Sequence, residues 1–100
     1  MQMPTVVKGD FEWDIDKARL NEKKHGVSFD EALTAFGDEH QLTLEDPQGH
    51  ADRFVLVGMS DKARVLFVVH AEITKRRTRI ISARIASKKQ AVQYALGDAL

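Results

Sequence analysis

The chain contains no cysteine, only two prolines, and no apolar run longer than the five residues 65–69. Without cysteine, neither a disulfide framework nor a thiolate metal site can hold it together, which suits a reducing compartment and makes the cytoplasm the expected location. Five apolar residues fall far short of the roughly 20 needed to cross a bilayer. The opening Met1-Gln2-Met3-Pro4 also lacks the apolar stretch of a secretion signal, so no membrane or secreted role is expected. Gly-rich phosphate loops and the HExxH pair are missing as well. The four histidines, at 25, 40, 50 and 70, are too widely spaced to form a local chelate, and neither cofactor nor metal is expected.

What is present is 100 residues, 43% apolar and 30% charged, the size and balance of one soluble domain spanning 1–100. The 15 basic and 15 acidic residues cancel to a formal charge of zero, but they are unevenly placed. Residues 1–72 carry eight Lys or Arg against fourteen Asp or Glu, a net of −6. Residues 73–97 carry seven cations, Lys75, Arg76, Arg77, Arg79, Arg84, Lys88 and Lys89, and no acid. Such asymmetry points to a nucleic-acid phosphate or an acidic protein as partner; the plainer alternative is that the basic segment packs beside the acidic helices.

Local signals give the element order. Val6-Val7 and residues 11–13 read as one or two short extended pieces, and Asp14 is placed to cap a helix over about 15–25. Lys23, Lys24 and His25 suit the carbonyl end of that helix, and Gly26 supplies the left-handed stop. Ser28 and Glu31 form a capping box for a second helix reaching about 36, with Phe29, Ala32, Leu33 and Phe36 on its buried side. The hydrophobic period then falls to two, predicting antiparallel strands over 41–45, 53–59, 64–72 and 78–86. Ser87 and Gln90 cap a last helix through about 96, with Ala91, Val92, Ala95 and Leu96 as its expected buried stripe. The order β-α-α-β-β-β-β-α predicts an α+β fold with an antiparallel sheet of four to five strands.

The chemistry concentrates at the basic end. Arg77, Arg79, Arg84, Lys88 and Lys89 fall on the last strand and the helix start after it, where a phosphate could meet several cations and a helix N-terminus together. An Arg flanked by apolar residues, as Arg84 is, needs an anion, either an internal carboxylate such as Glu72 or Asp14, or a ligand. Metal-free cleavage of RNA requires a base for the 2′-hydroxyl, cations for the phosphorane and an acid for the 5′-oxygen. Strict alternation places Arg64, His70 and Glu72 on one strand face, so His70 is the candidate base or acid, Glu72 its alternative or orienting partner, and Arg64, Arg79 and Arg84 the charge stabilisers. Trp13 and Tyr94 could stack on a base, although core packing is the commoner use of such residues.

The segments Phe11-Glu12-Trp13-Asp14, Lys24-His25-Gly26-Val27-Ser28-Phe29 and Arg79-Ile80-Ile81-Ser82-Ala83-Arg84, together with Lys17-Ala18, Asn21, Glu31-Ala32, Arg53, Gly58 and His70, resemble the BrnT family of bacterial toxins over about residues 10–95. The resemblance implies a RelE-like fold and a metal-independent endoribonuclease that cleaves messenger RNA, free or ribosome-bound, and arrests growth. It also implies a BrnA-like antitoxin with a ribbon-helix-helix region, which supplies the operator DNA binding that the toxin lacks, in a dimer of heterodimers. Lys24, His25, Arg53, Arg79, Ser82 and Arg84 lie inside matching motifs, and with Arg64, His70, Glu72, Arg77, Lys88 and Lys89 they make up the expected RNA-binding and catalytic set. The last helix departs from the family in lacking Glu after Tyr94, and the loop Thr74-Lys75-Arg76-Arg77 is more basic than the family pattern. The reading from a different class is a non-catalytic basic module that docks an acidic protein or RNA.

Overall fold

The computed structural model describes residues 4–97 as β1 (Thr5–Lys8), β2 (Phe11–Asp14), α1 (Ile15–His25), α2 (Phe29–Ala35), β3 (Leu42–Glu45), β4 (Arg53–Met59), β5 (Val65–Thr74), β6 (Arg77–Ile85) and α3 (Lys88–Leu96). The caps act largely as their residue types require. The Asp14 carboxylate accepts from the Asp16 and Lys17 amides, and Gly26 ends α1 at φ 70°, a left-handed conformation in which a Cβ is unfavourable. At α2 the Ser28 hydroxyl accepts from the Glu31 amide, but Glu31 does not close the expected box, because its carboxylate turns to Ser60 and Arg64. The box at Ser87 and Gln90 is complete.

The fold is α+β, with six strands in the order β1-β2-β6-β5-β4-β3, one or two more than the sequence pattern suggested. The sheet is also mixed. Strand β2 runs parallel to β6, pairing Phe11 with Thr78 and Glu12 with Arg79, while every other neighbour is antiparallel. Periodicity cannot reveal such a pair, since it joins strands far apart in the chain.

Helices α1 and α2 cover one face of the sheet, burying Trp13, Val27, Phe29, Ala32, Ala35, Leu56, Leu66, Val68, Ile80 and Ala83. Full burial of Phe29 alone is worth about 1.5–3 kcal/mol. Gly58 permits the close approach: a Cβ there would lie 2.9 Å from the Ala35 carbonyl oxygen. The opposite face is covered only in part. Val55, Val57 and Phe67 form a smaller core there with Leu42, Leu44, Val65 and Tyr94. Helix α3 reaches it through Tyr94, and its expected buried stripe is not buried: Val92 is 49% and Leu96 53% exposed. The helix therefore lies on the sheet with a different side inward from the one its apolar residues suggested.

Candidate functional site

Strict alternation along 78–86 would send Arg79 and Arg84 to opposite faces, but β6 does not alternate strictly. Val69 pairs with Ser82 while the next residue, His70, pairs with Ile80, so Ile81 is an extra residue in a β-bulge. The bulge keeps Ile80 and Ala83 in the helix-covered core and brings Arg79, Ser82 and Arg84 together on the other face. On β5 and β4 the register places Ala71 and Arg53 there too, in the row Arg53–Ala71–Arg79. Two strand spacings of about 4.8 Å separate the backbones of those two arginines by about 10 Å across the sheet. The small Ala71 at the centre of the row is itself buried.

Each cation on this face is held differently. Arg79 bonds the Glu12 carboxylate, and Arg77 lies 3.7 Å from the other oxygen of the same carboxylate. Arg84 has no carboxylate partner among the described residues. Its guanidinium instead lies over the Phe67 ring at 4.1 Å, and it donates to the Gln90 side chain at 3.4 Å and the Ile85 carbonyl at 3.3 Å. Stacking of this kind, worth about 0.5–2 kcal/mol, orients the cation without neutralising it. Lys88 and Lys89 stand exposed on the first turn of α3.

Position along β6 is fixed by a buried amide. Strand β2 pairs with β6 only as far as Arg79, which would leave the Ala83 backbone without a ladder partner on that side. The Asn21 side chain takes its place, accepting from the Ala83 amide at 3.1 Å and donating to the Ala83 carbonyl at 2.7 Å and the Val27 carbonyl at 3.0 Å. A side-chain amide has the same donor and acceptor as a peptide, so it can extend a ladder by one rung. Arg84 is the next residue after that anchor.

The remaining predicted residues lie elsewhere. Arg64, His70, Glu72, Lys24 and His25 are not brought together with Arg79 and Arg84. Arg64 is engaged at the α2 side, bonding both oxygens of the buried Glu31 and the Gly26 carbonyl, and its guanidinium holds the Glu31 carboxyl below the usual range against the opposing effect of burial. His70 faces the helix layer, edge-on to Phe36 at 4.9 Å and 6.1 Å from Phe54, and burial pushes its imidazole below the ordinary value. Glu72 is exposed beyond it, while Lys24 and His25 end α1 over that same layer. Alternation had grouped Arg64, His70 and Glu72 correctly, but on the face opposite the arginine cluster. Tyr94 is not a free stacking platform: its hydroxyl donates to Asp38, and that bond, with burial, pushes the phenol up to about 12. Trp13 is a core residue.

Two residues of the site were missed from sequence as participants, Glu12 and Asn21. The available signal for Glu12 was an acid between two core aromatics in an extended segment, which alternation sends to the face away from the core. Among the described residues, no group of three or more His, Asp or Glu side chains could hold a metal ion.

Comparison with known proteins agrees with this architecture. The model of the family described as ribonuclease toxin, BrnT, of type II toxin-antitoxin system matches residues 13–90. The crystal structure of the Brucella abortus ribonuclease toxin BrnT is similar at a TM-score of 0.57 and 25% identity, over 76% of this chain and 94% of that one. A search of curated proteins returns no match.

Proposed function

Because the chain belongs to the BrnT family of ribonuclease toxins of type II toxin-antitoxin systems, we propose that it cleaves messenger RNA without a metal ion on the open face of the sheet, and that a BrnA-like ribbon-helix-helix antitoxin neutralises it in a cytoplasmic dimer of heterodimers. The observation that supports this reading is the β6 bulge, which gathers Arg79, Ser82 and Arg84 on one face beside Glu12. Arg53, Arg77, Lys88 and Lys89 border the same surface and would hold flanking phosphates.

In the proposed reaction a phosphodiester replaces Glu12 as the anion on Arg79, which frees one oxygen of the Glu12 carboxylate while the other stays beside Arg77. Glu12 takes the proton of the 2′-hydroxyl as the 2′-oxygen bonds to phosphorus. Arg79 and Arg84 offset the charge that builds on the phosphorane oxygens. The bond from phosphorus to the 5′-oxygen breaks, that oxygen takes a proton from solvent, and Glu12 returns its own to solvent. The products are a 2′,3′-cyclic phosphate and a 5′-hydroxyl. His70, Glu72 and Arg64, behind the sheet, have no part in these steps.

The test is cleavage of an end-labelled RNA by the purified chain in excess chelator. Expected is cleavage to cyclic-phosphate ends, reduced at least tenfold in Glu12→Gln. Dependence on an added divalent ion would overturn the metal-free mechanism. Salt-sensitive RNA binding with no cleavage would make the chain the non-catalytic basic module instead.

A further inference from the structure

Helix α3 presents an apolar side to solvent. Val92 and Leu96, one turn apart, are 49% and 53% exposed, and with Lys88, Lys89 and Gln93 they line a shallow depression. Positions 88, 92 and 96 follow one another at i, i+4, so cation, valine and leucine form a single stripe along the helix. Neither Val92 nor Leu96 packs against the smaller core, so the stripe is not what holds the helix on the sheet. Tyr94, on the other side, does that through Asp38 and the smaller core.

The chemistry of the stripe selects among occupants. RNA would use the lysines but gains nothing from Val92 and Leu96. A second copy packed α3 against α3 would bring together four lysines from a segment, 73–97, that contains no acid. Among the described residues, neither Lys88 nor Lys89 has a carboxylate within 4.0 Å. An amphipathic segment with apolar side chains for Val92 and Leu96 and carboxylates for Lys88 and Lys89 satisfies both halves. We infer that the outer face of α3, through Lys88, Lys89, Val92 and Leu96, is a docking surface for an acidic amphipathic segment of the antitoxin, an assignment that rests on reading this chain as the toxin of its pair. Gln90, on the first turn of α3, touches Arg84, so a segment seated on this stripe lies beside the proposed cleavage face and can close it without displacing any core residue.

The experiment uses the full-length antitoxin encoded beside this chain, immobilised, with two variants of the full toxin chain. Val92→Asp/Leu96→Asp is expected to weaken capture at least tenfold and to restore growth arrest in cells that also express the antitoxin, with the thermal midpoint unchanged. Lys88→Glu/Lys89→Glu is expected to weaken capture and flatten its salt dependence. Capture of either variant within twofold of the unmodified chain would overturn the assignment. So would a toxin dimer in sedimentation that Val92→Asp/Leu96→Asp dissociates, because the stripe would then belong to a second copy. Capture is read independently of RNA cleavage, so an inactive but captured chain would refute the proposed reaction and leave the docking surface standing.

Discussion

The two faces of the sheet both carry arginine, and they use it in opposite ways. On the α1/α2 face Arg64 is tied to a carboxylate, Glu31, that is 3% exposed and has a second donor in Ser60. On the other face Arg84 rests on an aromatic ring with no carboxylate among the described residues, and Arg79 and Arg77 share one. The first arrangement has its charge satisfied and serves the fold. The second keeps positive charge available to an incoming anion. Residue type is common to both, and the partner decides the role.

The comparison can be broken from either side. Phe29→Ala, in the helix-covered core, is expected to cost about 3–5 kcal/mol in urea unfolding, whereas Arg84→Ala should cost no more than its stacking on Phe67 is worth, about 0.5–2 kcal/mol. For Arg84→Ala the loss should appear in RNA cleavage, on the order of 10²–10³ in rate; near-normal cleavage would return Arg84 to an ordinary surface role. Asn21→Ala joins the two faces, since it strands the Ala83 and Val27 backbone groups inside the protein. It should cost about 1–3 kcal/mol and also slow cleavage, because the residue after Ala83 is Arg84.

Acid should act first through the helix-covered face. The His70 imidazole is held below its ordinary 6.5 by burial, so the unfolded chain binds the extra proton more readily. Its stabilising contribution is complete above about 6.5 and is lost as pH falls through the lower folded value; Glu31, held below its ordinary 4.5, follows the same sign at more acidic pH. Thermal midpoints measured from pH 8 to 4 should fall in that order, and His70→Phe should remove the earlier part. Tyr94 has the opposite sign: its phenol, raised to about 12, stabilises below its ordinary 10 and loses that contribution as pH climbs towards 12. The smallest expected effect is at Ala63, a non-glycine residue at φ 59° in the turn between β4 and β5. Ala63→Gly should stabilise by about 0.5 kcal/mol, the relief of left-handed strain less the extra chain entropy.

Much of this is legible in the sequence. Helix α1 runs from Ile15 to His25 and α3 from Lys88 to Leu96, as their caps indicated, because Asp14, Gly26 and Ser87 bond to backbone a few residues away. Strand β4 at Arg53–Met59 matches its period-two run. The candidate site was legible in part. The charge step after residue 72 located the cations, but not their arrangement. Arg79 and Arg84 are five apart, an odd separation that alternation assigns to opposite faces, and the bulge at Ile81 reverses that answer. The inward side of α3 departs from its apolar stripe for a related reason: the smaller core is met through Tyr94, while Val92 and Leu96 stay half exposed.

By itself the sequence determined the elements, their caps, the family resemblance, and the cancellation of an acidic body against a basic quarter, since each depends on residues close together in the chain or on a motif read in order. Tertiary structure decided which arginines are satisfied and which are exposed to a ligand. That depends on the parallel pairing of β2 with β6, which brings Glu12 to Arg79 across 67 residues, on the bulge that turns Arg79 towards Arg84, and on the buried Glu31 that claims Arg64. Such contacts form only when distant segments pack, and so the partner of a charge, and with it the role of that charge, is set by the fold.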